Sequence, residues 1–178
     1  MPEGRPVVPM TVETLHDKFV YELQQAYYIE TELVDVLEEM DETTADEEIS
    51  NGFQRHQRET AEQARRLEGV FEALDEEPHA RQCYALDGLI EDHSEFLDNA
   101  AEDENLIDLY NVGAGVKVER LEISVYEGLL NHADQLDLPT EVTEPLDENL
   151  DGEEATLTEL RGAMSGSTIQ QLFGRLTG

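Results

Sequence analysis

Five glutamates and one histidine interrupt the apolar faces of the predicted helices in this chain. They are Glu30, His56, Glu59, Glu119, Glu122 and Glu153. A helix face that packs against a core is normally apolar, because a buried charge without partners costs several kcal/mol. Carboxylates can bridge two divalent cations, and a neutral imidazole can complete a coordination sphere. These residue types therefore indicate a dinuclear carboxylate site for hard or borderline divalent metals.

The spacing of these residues predicts that they lie at matching heights along a helical bundle. Glu30 precedes the centre of the first predicted turn by as many residues as His56 follows it. Glu122 and Glu153 lie at similar distances from the turn that joins their own helices. Because antiparallel helices bring such residues side by side, the interruptions are expected to share one layer, where two cations would offset most of the negative charge.

Several of these positions also have a purely structural interpretation. Glu122, taken alone, is almost as consistent with a solvated face as with a ligand. A histidine on an apolar face is more often a core residue, although the position of His56 beside Glu59 favours a ligand. His93 lies between apolar residues of a short helix, and core packing is the favoured interpretation. Tyr126 is expected in the core, where its hydroxyl could support Glu122.

Helical periodicity runs through four long segments and one short segment of the chain. The long helices are predicted at about 12–40, from 44 to about 74, at about 104–136, and from 140–145 to 164, with the short helix at 83–98. Thr44 and Glu47 have the spacing of a capping box that would open the second helix. The pattern predicts an all-α four-helix bundle with a crossover connection that carries a short extra helix. Residues 1–10 are expected to form an N-terminal arm, 11–164 the bundle, and 165–178 a flexible tail.

The composition of the chain limits the classes of molecule that it is expected to bind. The chain has 178 residues, 43 of them acidic and only 11 Lys or Arg, so the net charge is −32. Without basic clusters, binding to nucleic acid or to an anionic membrane surface is not expected. Acidic residues throughout, with almost no lysine, indicate a halophilic source. A single cysteine, Cys83, and the lack of a signal-peptide pattern predict a cytoplasmic protein.

Three motifs carry a family resemblance. They are FQRHQRETAEQARRLE at 53–68, CYALDGLIE at 83–91 and VERLEISVY at 118–126. In this order and over roughly residues 14–163, the chain resembles the YciE/YciF family of ferritin-like proteins, which is stress-associated and described as di-iron or ferroxidase-like. The resemblance implies a ferritin-like bundle with two irons per chain, manganese being the other candidate metal.

The resemblance also implies roles for the ligands and for the reaction. Its implied ligands are a bridging Glu59 with Glu119 or Glu153, and the terminal ligands Glu30, Glu122 and His56. Fe(II) would be oxidised there by O₂ or peroxide, with carboxylates shifting between bridging and terminal modes. The expected partners are therefore metal ions and O₂ or peroxide, and a homodimer is the expected assembly.

The chain departs from the family pattern at the residues expected to bind the second metal ion. Leu157 stands where the family commonly has an aspartate, four residues beyond Glu153. Only one inward histidine is found, whereas the usual di-iron bundle has two E-x-x-H motifs. An alternative function therefore stays open, in which the protein is a non-catalytic stress or scaffold protein with a mononuclear or vestigial metal site. A cation store without a redox cycle is a third, weaker interpretation.

Overall fold

A bundle of α-helices makes up the part of the chain that the structure describes. The computed structural model describes residues 11–100 and 103–165 together with Gly174. Its helices are α1 (Leu15–Thr43), α2 (Glu47–Ala73), α3 (Tyr84–Asn99), α4 (Glu104–Gln135) and α5 (Thr140–Ser165). No strand occurs within these residues. The predicted all-α fold is confirmed, whereas the predicted arm (1–10) and nearly all of the predicted tail lie outside the described residues.

The four long helices surround one interior. The helices α1 and α2 form one hairpin, and α4 and α5 form the other. In the packed bundle α2 also contacts α5, and α1 contacts α4, while α3 packs against α4. The short helix therefore lies in the crossover between the hairpins, as the sequence predicts. None of the described helices is long and apolar enough to cross a membrane.

Side-chain caps begin the first two helices. Thr14 and Asp17 form a capping box at the start of α1. The carboxylate of Asp46 accepts hydrogen bonds from two amide groups of the first turn of α2. The predicted capping box at Thr44 is wrong, because α1 continues to residue 43 and Thr44 follows as its C-terminal cap. The Thr44 hydroxyl donates to the carbonyl oxygen of Met40, 2.7 Å away, instead of capping α2.

Buried polar side chains fix the second hairpin against the first. The carboxylate of Asp108 on α4 accepts the amide N–H groups of Ala45 and Asp46, at 2.8 and 3.1 Å. Next to it, Oδ1 of Asn111 lies 2.8 Å from Nε2 of His93 on α3. These bonds set the axial position of α4 relative to the α1–α2 turn. The expectation that His93 is a core residue is confirmed, since it is buried.

The apolar core is divided into two clusters. The cluster near the α1–α2 turn includes Leu33, Leu37, Met40, Phe53 and Val112. The cluster near the α4–α5 turn includes Phe19, Leu23, Phe71, Leu129 and Leu146. Leu15 and Met164 are exposed, because they belong to the outermost turns of α1 and α5. Between the clusters lies a layer of buried polar side chains.

Candidate metal centre

Four buried side chains from three helices meet in the polar layer between the two apolar clusters. They are His56 of α2, Glu119 and Glu122 of α4, and Glu153 of α5. Each offers a ligand atom within 4.8 Å of the other three. The histidine is 5% exposed and the glutamates at most 1%. The structure thus brings together four of the six predicted site residues.

Helix geometry explains why these residues converge. Glu119 and Glu122 are three residues apart on α4, so both carboxylates project from the same side of that helix. His56 and Glu153 come from α2 and α5, which also contact each other. Nε2 of His56 lies 2.8 Å from Oε1 of Glu119. Glu122 lies in the interior, as its assignment to the ligand set predicts, and the alternative of a solvated face is excluded because the side chain is buried.

Glu30 lies beside this group and is tied to a chain of hydrogen bonds. Its buried carboxylate accepts a hydrogen bond from the hydroxyl of Tyr126. The Tyr126 oxygen accepts in turn from Nδ2 of Asn149 at 2.9 Å, and Oδ1 of Asn149 accepts from Arg66 at 3.0 Å. Tyr126 is a core residue, as expected, but its hydroxyl supports Glu30 and not Glu122. The chain connects the polar layer to a partly exposed arginine.

Gln63 orients the carboxylate that α5 contributes. The buried amide of Gln63 donates a hydrogen bond to Oε1 of Glu153. Gly152 precedes that glutamate and packs against the same amide, because a Cβ atom added there would lie 3.0 Å from Nε2 of Gln63. A glycine in mid-helix weakens the helix by about 1 kcal/mol relative to alanine. Here it leaves room for Gln63 to reach Glu153.

Glu59 does not lie in the polar layer. Its side chain is exposed, whereas the next residue, Thr60, is completely buried. A step of three residues along an α-helix falls about 60° short of a full turn. Two such steps, from Phe53 to His56 and from His56 to Glu59, therefore move the side chain away from the inner face. The inner face of α2 instead continues from His56 to Thr60 and Gln63. The prediction that Glu59 faces the interior is wrong, and Glu59 is not among the four residues whose ligand atoms converge.

Burial opposes the ionisation of the carboxyl groups in the layer. It raises the pKa of Glu30, Glu122 and Glu153, and the neighbouring carboxylates raise the pKa of Glu122 and Glu153 further. Burial alone would lower the pKa of His56, but Glu119 and the other nearby glutamates outweigh it and raise the pKa. So many acidic groups cannot all be charged in a protein interior that contains no cation.

Several oxygen atoms of the layer are buried without a hydrogen-bond partner. Within the described part of the chain these include both oxygens of Glu122 and one oxygen each of Glu30 and Glu153. Nearly all buried polar atoms in folded proteins are paired, so a cluster of unpaired carboxylate oxygens calls for an explanation. A divalent cation would provide it, since hard cations take carboxylate oxygens as ligands. The donor set fits a metal.

Comparison with known proteins identifies the family. A family model described as a domain of unknown function, DUF892, matches residues 14–172. The chain belongs to the DUF892 family. A DUF892 relative, protein YciF of Escherichia coli strain K12, is 32% identical over 155 residues, which span 85% of this chain and 92% of YciF. The resemblance to the YciE/YciF family is thereby confirmed.

Two solved structures share the fold of this DUF892 chain. The YcfI protein of Rhodopseudomonas palustris, described as a candidate structural protein, has a TM-score of 0.82 at 31% identity and covers 86% of this chain and 97% of its own. The Escherichia coli stress protein YciF has a TM-score of 0.78 at 30% identity, with 84% and 94% covered. Both similarities cover more than four fifths of this chain.

Sequence reasoning missed the amide side chains of the layer. Gln63 and Asn149 are both buried and both bond to groups in or next to the cluster of carboxylates. Asn149 lies three residues after the inward Leu146 and four before Glu153, which is the spacing of an inner helix face. An uncharged amide on an inner helix face predicts a buried polar site just as a glutamate does, because both interrupt an apolar face.

Proposed function

We propose that this protein binds divalent metal in the polar layer of the bundle, with iron as the expected ion and manganese as the other candidate. In this proposal it supports oxidation of Fe(II) by O₂ or peroxide as part of a stress response. The observation that carries it is the convergence of His56, Glu119, Glu122 and Glu153, fully enclosed and with unpaired carboxylate oxygens.

The donor set is suited to such an ion. Oxygen ligands with one imidazole match the preferences of Fe(II) and Mn(II). The four enclosed residues would hold the metal, and Glu30, which adjoins them, is the candidate for a second ion. When bound, iron supplies one-electron exchange with O₂ or peroxide. Glu59 is not part of this ligand set.

The protein's own groups prepare the site for a cation. Burial raises the pKa of Glu122 and Glu153, so a metal ion would compete with protons for these carboxylates. Gln63 fixes Glu153 by a hydrogen bond, and Tyr126 fixes Glu30 in the same way. The two apolar clusters lie on either side of the layer along the bundle axis.

Bound metal per chain is the first measurement. Purified protein is loaded with Fe(II) without oxygen, desalted in molar salt to suppress binding to the acidic surface, and analysed by plasma mass spectrometry. Two irons are expected for wild type and none for the double variant Glu119→Gln/Glu122→Gln. Glu59→Gln is the matched control, because it also removes one carboxylate from the neighbourhood, and it should keep both irons. Equal iron in all three proteins would overturn the proposal.

Turnover is a separate question. Loaded protein is mixed with O₂ or with peroxide, and Fe(II) oxidation is followed against free Fe(II) at the same pH and salt. The wild type and Glu59→Gln should oxidise iron at least tenfold faster than free Fe(II) does, and the double variant should not. Bound iron without this acceleration would remove the redox part of the proposal and leave the metal site.

A non-catalytic structural role is the second candidate. The similar YcfI protein is described as a candidate structural protein, and Leu157 is buried four residues beyond Glu153, where it offers no ligand. This candidate predicts one iron or none in wild type, with no acceleration of Fe(II) oxidation. A gain of one iron in Leu157→Asp, but not in Leu157→Asn, would attribute the missing ion to that position.

Three further expectations belong to the proposal. A homodimer is tested by analytical ultracentrifugation in molar salt, where a single species of twice the chain mass is expected. A halophilic source predicts a Tm that rises with salt concentration, because screening weakens the repulsion within a chain of net charge −32. A cytoplasmic location is tested by fractionating the source cells.

A further inference from the structure

A cavity of about 360 Å³ lies between the four long helices, in the half of the bundle that contains the α1–α2 turn. Its wall is mainly apolar and includes Leu33, Leu37, Met40, Phe53, Val112 and Leu160. The space opens to solvent between α2 and α5, where its lining residues Arg55, Glu59 and Glu159 are exposed. A space of this volume lies in the range of sites that bind small organic molecules.

The cavity adjoins the candidate metal centre. His56 and Glu119, whose side chains are 2.8 Å apart, also line it. The outer part of the wall includes the exposed carboxylates of Glu59 and Glu159, and Arg55 beside them forms an ion pair with Glu159 at 3.3 Å. A bound molecule would therefore have apolar walls around it and negative charge at both ends.

Glycines keep part of the wall open. Gly52, Gly115 and Gly162 all line the cavity. A Cβ atom added at Gly115 would lie 3.2 Å from a methyl group of Leu160, whereas one at Gly52 would have only the end of the Arg55 side chain near it, at 4.0 Å. A large side chain at residue 52 would thus enter the cavity without displacing the backbone.

We propose that this cavity is a binding site for a neutral, apolar organic molecule. The volume and the apolar wall favour such a ligand, and the acidic groups at both ends disfavour anions such as fatty acids. The two cationic partners on the wall, Arg55 and His56, are already paired with Glu159 and Glu119, so a bound anion would find no free cation there. A buried anionic group without such a partner is strongly unfavourable. This inference goes beyond the function proposed above, because binding of such a molecule does not require a metal.

Two fluorescent probes of similar shape test the proposal. N-phenyl-1-naphthylamine is neutral, and 8-anilinonaphthalene-1-sulfonate adds a sulfonate to the same ring system. Each is titrated into metal-free wild-type protein in molar salt, which screens the general repulsion between the acidic surface and the anion. The neutral probe should bind saturably with one site per chain, and the anionic probe at least tenfold more weakly. No saturable binding of the neutral probe, or equal binding of both, would overturn the proposal.

Matched variants locate the binding site. Gly52→Phe should weaken binding of the neutral probe at least tenfold by filling the cavity. Gly69→Phe is the control, because Gly69 lies on the same helix, is exposed, and does not line the cavity. Gly162→Phe is a second filling variant from α5, to be used if Gly52→Phe fails to fold by circular dichroism. Unchanged affinity in a folded filling variant would contradict the proposal.

The test is independent of the proposed metal function. All titrations use protein without metal, so the cavity can be confirmed even if no iron binds, and iron can bind even if the probe does not. Repeating the titration with Glu119→Gln distinguishes the cavity proposal further from the metal proposal. This change removes a charge at the inner end of the cavity while keeping its shape, so the preference for the neutral probe should fall.

Discussion

The amide of Gln63 on α2 donates a hydrogen bond to the carboxylate of Glu153 on α5, and Gly152 is the residue that makes room for it. This contact joins the two hairpins at the level of the candidate metal centre. It fixes one carboxylate oxygen and leaves the other, Oε2, without a partner. The arrangement thus presents a single free oxygen of Glu153 toward the layer.

Gly152→Ala should weaken this contact. The new methyl group would lie 3.0 Å from Nε2 of Gln63, so the amide must move away from Glu153. We expect the free energy of unfolding to change little, because the loss of a hydrogen bond, about 1 kcal/mol, cancels a similar gain in helix propensity. Urea unfolding measures this. In the control Gly128→Ala, where a Cβ atom meets nothing within 4 Å, stability should rise instead.

A second-site change gives a sharper check of the same contact. In a Gln63→Ala background the obstacle is gone, so Gly152→Ala should now stabilise the protein like the Gly128 control. If Gly152→Ala is equally stabilising in the presence of Gln63, the steric explanation is incorrect.

Tyr126→Phe should destabilise the bundle by about 1–3 kcal/mol, since it removes the donor to Glu30 and the acceptor for Asn149 in a buried place. Thermal or urea unfolding provides the measurement. Tyr84→Phe is the control, because Tyr84 is 77% exposed and the loss of its hydroxyl should change little. A similar result for both variants would mean that the buried hydrogen bonds contribute nothing measurable.

The metal-free protein should lose stability as the pH rises from 5 to 8. Burial raises the pKa of Glu30 from its ordinary value of 4.5 to about 8, so the folded state holds a proton that the unfolded state releases. The stabilisation is complete below pH 4.5 and disappears as the pH passes 8. Each such group contributes at most about 1.4 kcal/mol per pH unit. The raised pKa of His56 acts in the same direction.

Urea midpoints of chelator-treated protein, recorded at several pH values in molar salt, check this prediction. Glu30→Gln should flatten the dependence, because an amide does not titrate. Glu59→Gln should preserve it, since that side chain is exposed. A wild-type midpoint that rises over this pH range would contradict the assigned direction.

Metal should stabilise the folded state and reverse that pH trend. A ligand at 100 times its Kd adds about 2.7 kcal/mol to the free energy of unfolding. Mn(II) is suited to the measurement because it needs no anaerobic handling, and a chelator should abolish its effect. Glu119→Gln and Glu122→Gln should lower the increase, and Glu59→Gln should not. An equal increase in all variants would indicate binding to the acidic surface.

Much of the site could be predicted because a charge on an apolar helix face is conspicuous. Glu30, Glu119 and Glu153 interrupt inner faces at comparable heights, and all three are buried in one layer. The same reasoning fails at Glu59. A second step of three residues from Phe53 leads to Glu59, whereas the residue of α2 that faces the interior at this height is Thr60. Because the chain has so many acidic residues, a prediction of the inner face that is wrong by one position can still select a residue that looks like a metal ligand.

The helix order could be predicted, but the details of its connections could not. Thr44 and Asp46 are both good N-terminal caps, and their local sequences do not decide between them. The choice depends on how far α1 continues and on Asp108, which binds the intervening amide groups from α4. Such long-range contacts also decide that Tyr126 bonds to Glu30, since residue spacing relates Tyr126 only to neighbours on its own helix.

The division of the core into two apolar clusters has a consequence for how the bundle comes apart. Each long helix packs into an apolar cluster at both ends. Between the clusters it crosses the polar layer, where burial disfavours the charged form of the carboxyl groups. Without a cation, that middle section contributes least to cooperativity, so the two halves can open as partly separate units. A bound ion would join them, and the same residues that would bind it would then determine whether the molecule unfolds in one step or in two.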